Sequence, residues 1–137
     1  MALTDLIDAS VLKRLGHPAV RAIVEPLSLG GHLARAGICD LEVGYSARTA
    51  QEWDRLLDAI QAFELVETTA AHVDRARRVQ RLLAARSQRG RKIPDLLVAA
   101  AAEARNLTVL HYDADFDLIA KVTGQQCEWV VPAGSVD

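Results

Sequence analysis

The chain has 137 residues, half of them apolar and a quarter charged, with a formal net charge of −2. That length suits one domain, residues 1–137, with a core of its own. The composition is that of an ordinary globular protein, and the slight acidity argues against a general nucleic-acid binder. No apolar run reaches membrane-spanning length. The opening "MALTDLID" lacks a basic stretch leading into an apolar one, so the expected compartment is the cytoplasm. Cys39 and Cys127 form no CxxC pair and read as two reduced thiols, one in a helix and one in a late polar turn.

"LTDLID" reads as a short strand ending near Asp8. "ASVLKRL" follows as a helix that stops at Gly16, and Pro18 opens a second, running to about Leu27. "GGHLARAG" holds a second short strand. "ICDLEVGYSA" reads as a largely buried helix, and "TAQEWDRLLDAIQAF" as another, with Thr49 as N-cap and Glu52 at the capping-box position. Phe63 to Glu67 is a third strand. "TAAHVDRARRVQRLLAARSQ" is a long amphipathic helix whose inner face is predicted as Ala71, Val73, Ala76, Val79, Leu82 and Leu83. "IPDLLVAAAAEARN" begins with Pro94 in its first turn and stops at Asn106, and its alanine run permits close packing on a sheet. "LTVLH" is a β-branched strand, "ADFDLIAKVTG" a helix ending at Gly124, and "EWVVP" a final strand. Strands alternating with helices predict an α/β fold with a mostly parallel sheet.

Ligands of such a sheet bind beyond the C-terminal ends of its strands. Asp8 and Asp113 each lie at such an end, and Asp95 lies in the first turn of its helix, where an anion is favoured. Glu42 is a carboxylate between the apolar Leu41 and Val43. Carboxylates gathered in one cleft repel one another, and a divalent cation relieves that repulsion; oxygen donors suit Mg²⁺ or Mn²⁺. Each acid also has a plainer role open to it. Asp8 can be a helix N-cap, Asp95 can complement a helix dipole, Asp115 can be ligand or cap, and Asp117 can simply face solvent.

Other acidic and phosphate-binding patterns fit worse. Asp113, Asp115 and Asp117 imitate the start of an EF-hand loop, but Leu118 and Gly124 stand where its Gly and Glu belong. No GxxxxGK[ST] loop and no HExxH occurs, and His17, His32, His72 and His111 read as surface or hydrogen-bonded histidines. Residues 75–92 carry eight of the sixteen Lys and Arg and no acid. They make either a solvated helix face or a cationic footprint for phosphates.

"LIDASVL", "CDLEVGYSAR", "KIPDLLVAAAAEARNLTVLHYDADFDLIA" and "TGQQCEWVVPAGS", in that order, resemble the PIN-domain family, and more narrowly the VapC-type toxins of bacterial toxin–antitoxin systems. The resemblance implies a three-layer α/β/α fold and a Mg²⁺- or Mn²⁺-dependent endoribonuclease that leaves 5′-phosphate and 3′-hydroxyl ends. It makes Asp8, Glu42, Asp95 and Asp113 an acidic quartet, with Asp115 a fifth acid and Ser10 a site hydroxyl. Asp8, Asp95, Asp113 and Asp115 are the implied metal ligands. Many members carry Thr or Ser where this chain has His111. The family further implies a homodimer, an RNA substrate and a VapB-like antitoxin. Arg89, Arg91 and Lys92, just before Asp95, are then the expected RNA contacts, more so than Arg14 and Arg21. The alternatives are a DNA-directed nuclease of the same fold and a PIN-like binding module without catalysis.

Overall fold

The computed structural model describes residues 2–88 and 92–137. Five strands, β1 (Asp5–Ile7), β2 (Leu33–Ala36), β3 (Glu64–Val66), β4 (Thr108–His111) and β5 (Cys127–Trp129), form one sheet in the order β3-β2-β1-β4-β5. Every pairing is parallel. Successive residues Leu6 and Ile7 point to opposite faces, yet both are fully buried. Both faces of the sheet are therefore covered, as a parallel sheet requires.

The helices supply that cover. They are α1 (Ala9–Leu12), α2 (Pro18–Leu29), α3 (Gly37–Tyr45), α4 (Ala50–Ile60), α5 (Ala70–Ala85), α6 (Ile93–Ala104) and α7 (Asp115–Thr123). All strands and helices read from the sequence are present, with shorter strands than expected. The alanine run of α6 is buried throughout, from Ala99 to Ala102. Its small side chains let the helix touch β1, β4, α3, α5 and α7 together. Gly124 ends α7 in the left-handed conformation, φ 74°, which a residue without Cβ adopts at no steric cost.

Three local expectations need correction. Helix α5 buries His72, Ala76, Val79 and Leu83, while Ala71, Val73 and Leu82 are exposed. The buried stripe follows the helical period, but in a phase set by packing on α6 and α7. Helix α3 is not largely buried: Cys39 and Val43 face inward, whereas Leu41 and Tyr45 are exposed. Cys127 opens β5 instead of standing in a turn. Arg35, in the middle of β2, is buried; its Nε donates to Asp40 Oδ1 at 2.8 Å and its Nη1 to the Phe63 carbonyl.

The strand order reverses direction at β1 and β4. From β1 the chain moves to β2 and β3 on one side, then returns to β4 and β5 on the other. The Asp8 amide donates to the Leu110 carbonyl at 2.9 Å, so the two central strands separate just beyond their hydrogen-bonded ends. That reversal leaves a crevice at the carboxyl edge, where an open α/β sheet binds ligands.

Candidate active site

Asp8 leaves β1 and is the N-cap of α1. Its two carboxylate oxygens have different work. Oδ2 accepts from the Ser10 amide at 3.0 Å and the Ser10 hydroxyl at 2.6 Å. Oδ1 is buried without a hydrogen-bond partner among the described residues. The N-cap role and a place in the cleft therefore coexist in one side chain. Ser10 Oγ in turn accepts the Tyr112 amide at 2.9 Å, tying the exit of β1 to the exit of β4.

Helix α6 runs down toward β4, so its N-terminus opens on the same edge as the strand ends. That places Asp95, in its first turn and 2% exposed, beside Asp8. Asp113 follows β4, and its Oδ1 accepts the Asp115 amide at 2.9 Å, holding the first turn of α7. Glu42 reaches in from α3 with a buried Oε1 that has no hydrogen-bond partner among the described residues. One ligand atom each from Asp95, Asp113 and Asp115 lies within 4.8 Å of the others, and the same holds for Asp8, Cys39 and Glu42. A cleft of about 460 Å³ is lined by Asp8, Ser10, Glu42, Asp95 and Asp113 together with Lys13, Arg14, Lys92 and Tyr112.

The electrostatics follow from this crowding. Burial pushes Asp8 above its ordinary value, and the Ser10 hydrogen bonds pull it partly back. Burial and then the Asp8 charge raise Glu42, opposed by Lys13 and Lys92. Asp95 is pushed up to about 8 by burial, Asp8 and Asp113. Burial also acts on Asp113, but the hydrogen bond from Lys92 Nζ at 2.5 Å and that from the Asp115 amide outweigh it, and its carboxyl sits below the ordinary value. The Cys39 thiol is driven far up by burial and by Asp8. It stays protonated beside the acids.

The sequence-derived site residues Asp8, Ser10, Glu42, Asp95, Asp113 and Asp115 are thus brought together, and Lys92 joins them through Asp113. Arg89 and Arg91 lie outside the described residues. Asp117 is exposed and accepts from the Trp129 indole N–H at 3.1 Å. Of the two readings given for His111, surface or hydrogen-bonded, it takes the second. It is fully buried between the rings of Phe116 and Trp129; its Nδ1 accepts the Asp113 amide at 3.2 Å, while Nε2 has no partner among the described residues. Burial lowers it to about 4, so it is neutral. Arg14, ranked in the sequence below Arg89, Arg91 and Lys92 as an RNA contact, lines the cleft with Lys13. Both follow Asp8 by five or six residues across the single turn of α1, and that spacing was the available signal.

The PIN domain family model matches residues 6–122. The chain belongs to the PIN-domain family. Along its whole length it is 66% identical to Ribonuclease VapC51 of Mycobacterium tuberculosis, over 137 residues and 100% of that protein. It is 44% identical to Ribonuclease VapC21 of the same organism, covering 98% of this chain and 99% of the relative. Within the PIN-domain family it therefore stands among the VapC ribonucleases. Solved PIN-domain structures agree in fold. VapBC2 from Rickettsia felis, bound to a DNA fragment from the promoter, matches with a TM-score of 0.77 at 16% identity, covering 93% of this chain and 98% of that one. VapBC-5 from Mycobacterium tuberculosis matches with a TM-score of 0.70 at 21% identity over 93% and 98%. The PIN-domain sheet and its carboxyl-edge cleft are the frame on which the acids are mounted.

Proposed function

We propose that this VapC ribonuclease is the toxin of a VapBC-type module, a single PIN domain over residues 1–137 that hydrolyses RNA with the help of Mg²⁺ or Mn²⁺. The observation that carries the reading is the set of buried carboxylate oxygens with no hydrogen-bond partner among the described residues, Asp8 Oδ1, Glu42 Oε1 and Asp95 Oδ2, on residues that line one cleft. Buried polar atoms are normally satisfied, and unpaired buried charge is costly. An all-oxygen donor set of this density fits a hard divalent cation. Asp8, Asp95, Asp113 and Asp115 would hold it, with Glu42 completing or orienting the shell. Cys39, protonated and soft, is left out of the ligand set. When bound, the ion supplies Lewis acidity toward the scissile phosphate and a water nucleophile of lowered pKa.

The chain's own residues do the rest. Ser10 fixes the Asp8 carboxylate by two hydrogen bonds and so aims its free oxygen at the cleft. Lys92 holds Asp113 ionised and ready to ligate. Asp95 carries a proton at neutral pH in the metal-free protein and releases it on loading, since a cation favours the carboxylate. Attack by water in line at phosphorus leaves 5′-phosphate and 3′-hydroxyl ends.

The protein works in the cytoplasm as a homodimer and is neutralised by a VapB-like antitoxin, whose C-terminal segment sets an Arg or similar cation among the acids; the structural relatives include toxin–antitoxin complexes. An Arg there offsets carboxylate repulsion and competes with metal. Among the described residues no helix is long and apolar enough to cross a membrane. The test is cleavage of total RNA by the purified protein in EDTA, then with Mg²⁺ or Mn²⁺ restored, with the new 5′ ends sequenced. Activity should vanish with chelator and return with metal. Full activity in EDTA, or ends that lack a 5′-phosphate, would end the reading.

A further inference from the structure

Arg14 projects from the turn after α1 into the cleft that holds Asp8 and Asp113. Its Nη1 donates to the Ser10 carbonyl at 2.7 Å. Its guanidinium carbon lies 4.6 Å from the centroid of the Tyr112 ring. Its Nε donates to Asp137 Oδ1 at 3.2 Å. Tyr112 is itself clasped by the last residues of the chain: its hydroxyl donates to the Val136 carbonyl at 2.6 Å and accepts the Gly134 amide at 2.9 Å. Residues 134–137 thus hold the ring on which Arg14 stacks and cover Arg14 with one carboxylate.

A guanidinium offers two parallel N–H donors along its Nε–Nη2 edge, a spacing that matches two oxygens of a phosphate. Ser10 and Tyr112 fix the Arg14 group without using that edge. Among the described residues, Asp137 alone meets it. The Asp137 side chain is 63% exposed, so the pair is a weak one in water. Lys92, by contrast, is committed to Asp113, and Lys13 is exposed with no fixed polar partner among the described residues. Among the described residues, Arg14 is therefore the pre-positioned cation of this cleft. An acidic cleft that must take an anionic chain needs one.

We propose that Arg14 grips a backbone phosphate of the RNA beside the scissile bond, and that Asp137 is a placeholder which the phosphate displaces. The proposal rests on the ribonuclease reading and adds to it a substrate-binding residue and a built-in competitor. No bond is made or broken; one anion replaces another on the Nε–Nη2 edge. Residues 134–137 thereby set how readily the cleft accepts RNA.

The experiment measures affinity for a single-stranded oligoribonucleotide against salt concentration, in an Asp95→Asn background that does not cut. Arg14→Gln should bind about fivefold more weakly at 0.1 M salt, and its salt slope should fall by roughly 0.7, the value for one single-strand phosphate contact. Arg14→Lys should keep the slope while losing part of the affinity. Asp137→Asn should bind roughly 1.5- to 5-fold more tightly, the range of an exposed ion pair, and should give no gain when Arg14 is Gln. Arg105→Gln, at the opposite end of α6 and paired with Glu64, should change neither quantity. An Arg14→Gln slope equal to the parent's would overturn the proposal, as would an Asp137→Asn gain that persists without Arg14. In either case a parent chain that still cuts RNA leaves the ribonuclease reading standing. A parent chain that neither binds nor cuts RNA with metal present overturns both.

Discussion

Replacing Asp95 with Asn removes one ionisable group from a site crowded with them. Asp95 is 2% exposed, with Asp8 and Asp113 as like-charged neighbours and Lys92 Nζ 3.9 Å away. Its carboxyl is raised from 3.8 to about 8, with burial the largest cause. The unfolded chain releases this proton near its ordinary value, whereas the folded, metal-free protein keeps it until about pH 8. Between those limits the folded state binds the extra proton, so its stability falls as pH rises. At about 1.36 kcal/mol per pH unit the ceiling is roughly 5–6 kcal/mol. Relaxation of the cleft and entry of water around an ionised Asp95 bring that ceiling down to a loss on the order of 2–3 kcal/mol. Asp8 and Glu42 are raised too and push the same way. Asp113 is lowered, so its contribution is present above the ordinary carboxylate range and is lost only in more acidic solution, outside this window. Asp95→Asn should therefore melt about 5–10 °C above the parent at pH 8 in EDTA, and close to it at pH 4. Mg²⁺ should narrow the gap at pH 8 by stabilising the parent more than the variant. The assay is thermal unfolding followed by circular dichroism across pH. Parallel pH profiles for the two metal-free proteins would refute the account of Asp95.

Asp113→Ala should abolish RNA cleavage, whereas Asp117→Ala, which loses only the bond from the Trp129 indole to an exposed carboxylate, should cut within about twofold of the parent; initial rates on one RNA compare them. Asp40→Ala strands the buried Arg35 and should cost about 3 kcal/mol in urea unfolding, while Arg35→Met together with Asp40→Leu should be close to neutral. Gly124→Ala forces a side chain into a left-handed residue with open space around it, so only backbone strain enters, about 1 kcal/mol by the same measurement.

Much of this architecture was legible because its punctuation is local. Pro18 and Pro94 stand in first helical turns, Gly124 is a left-handed stop, and Thr49 accepts the Glu52 amide as an N-cap should. The convergence of Asp8, Asp95 and Asp113 was legible for a topological reason: strand ends and the starts of returning helices share one edge. What stayed hidden depends on phase and on remote partners. A helical period tells which residues of α5 can be buried together, and Ala76, Val79 and Leu83 are buried as that period predicts, but Val73 and Leu82 lose to His72 only once α6 and α7 are in place. The burial of Arg35 depends on a carbonyl supplied by Phe63. Arg14 meets Asp137 across nearly the whole chain, and no local signal marks that pairing.

The reversed strand order also carries a consequence for synthesis. Asp5 pairs with Thr108 at the centre of the sheet, so the first acid of the site and the last are separated by most of the polypeptide. A ribosome that has made Asp8 must add roughly a hundred residues before Asp113 exists, on the order of 5–20 s at common elongation rates. Over that interval β1 has β2 but lacks β4, and Ser10 has no Tyr112 amide to receive. The nascent chain therefore carries no assembled cleft, and a nuclease built in this order lacks its full set of acids until the residues that follow β4 have been made.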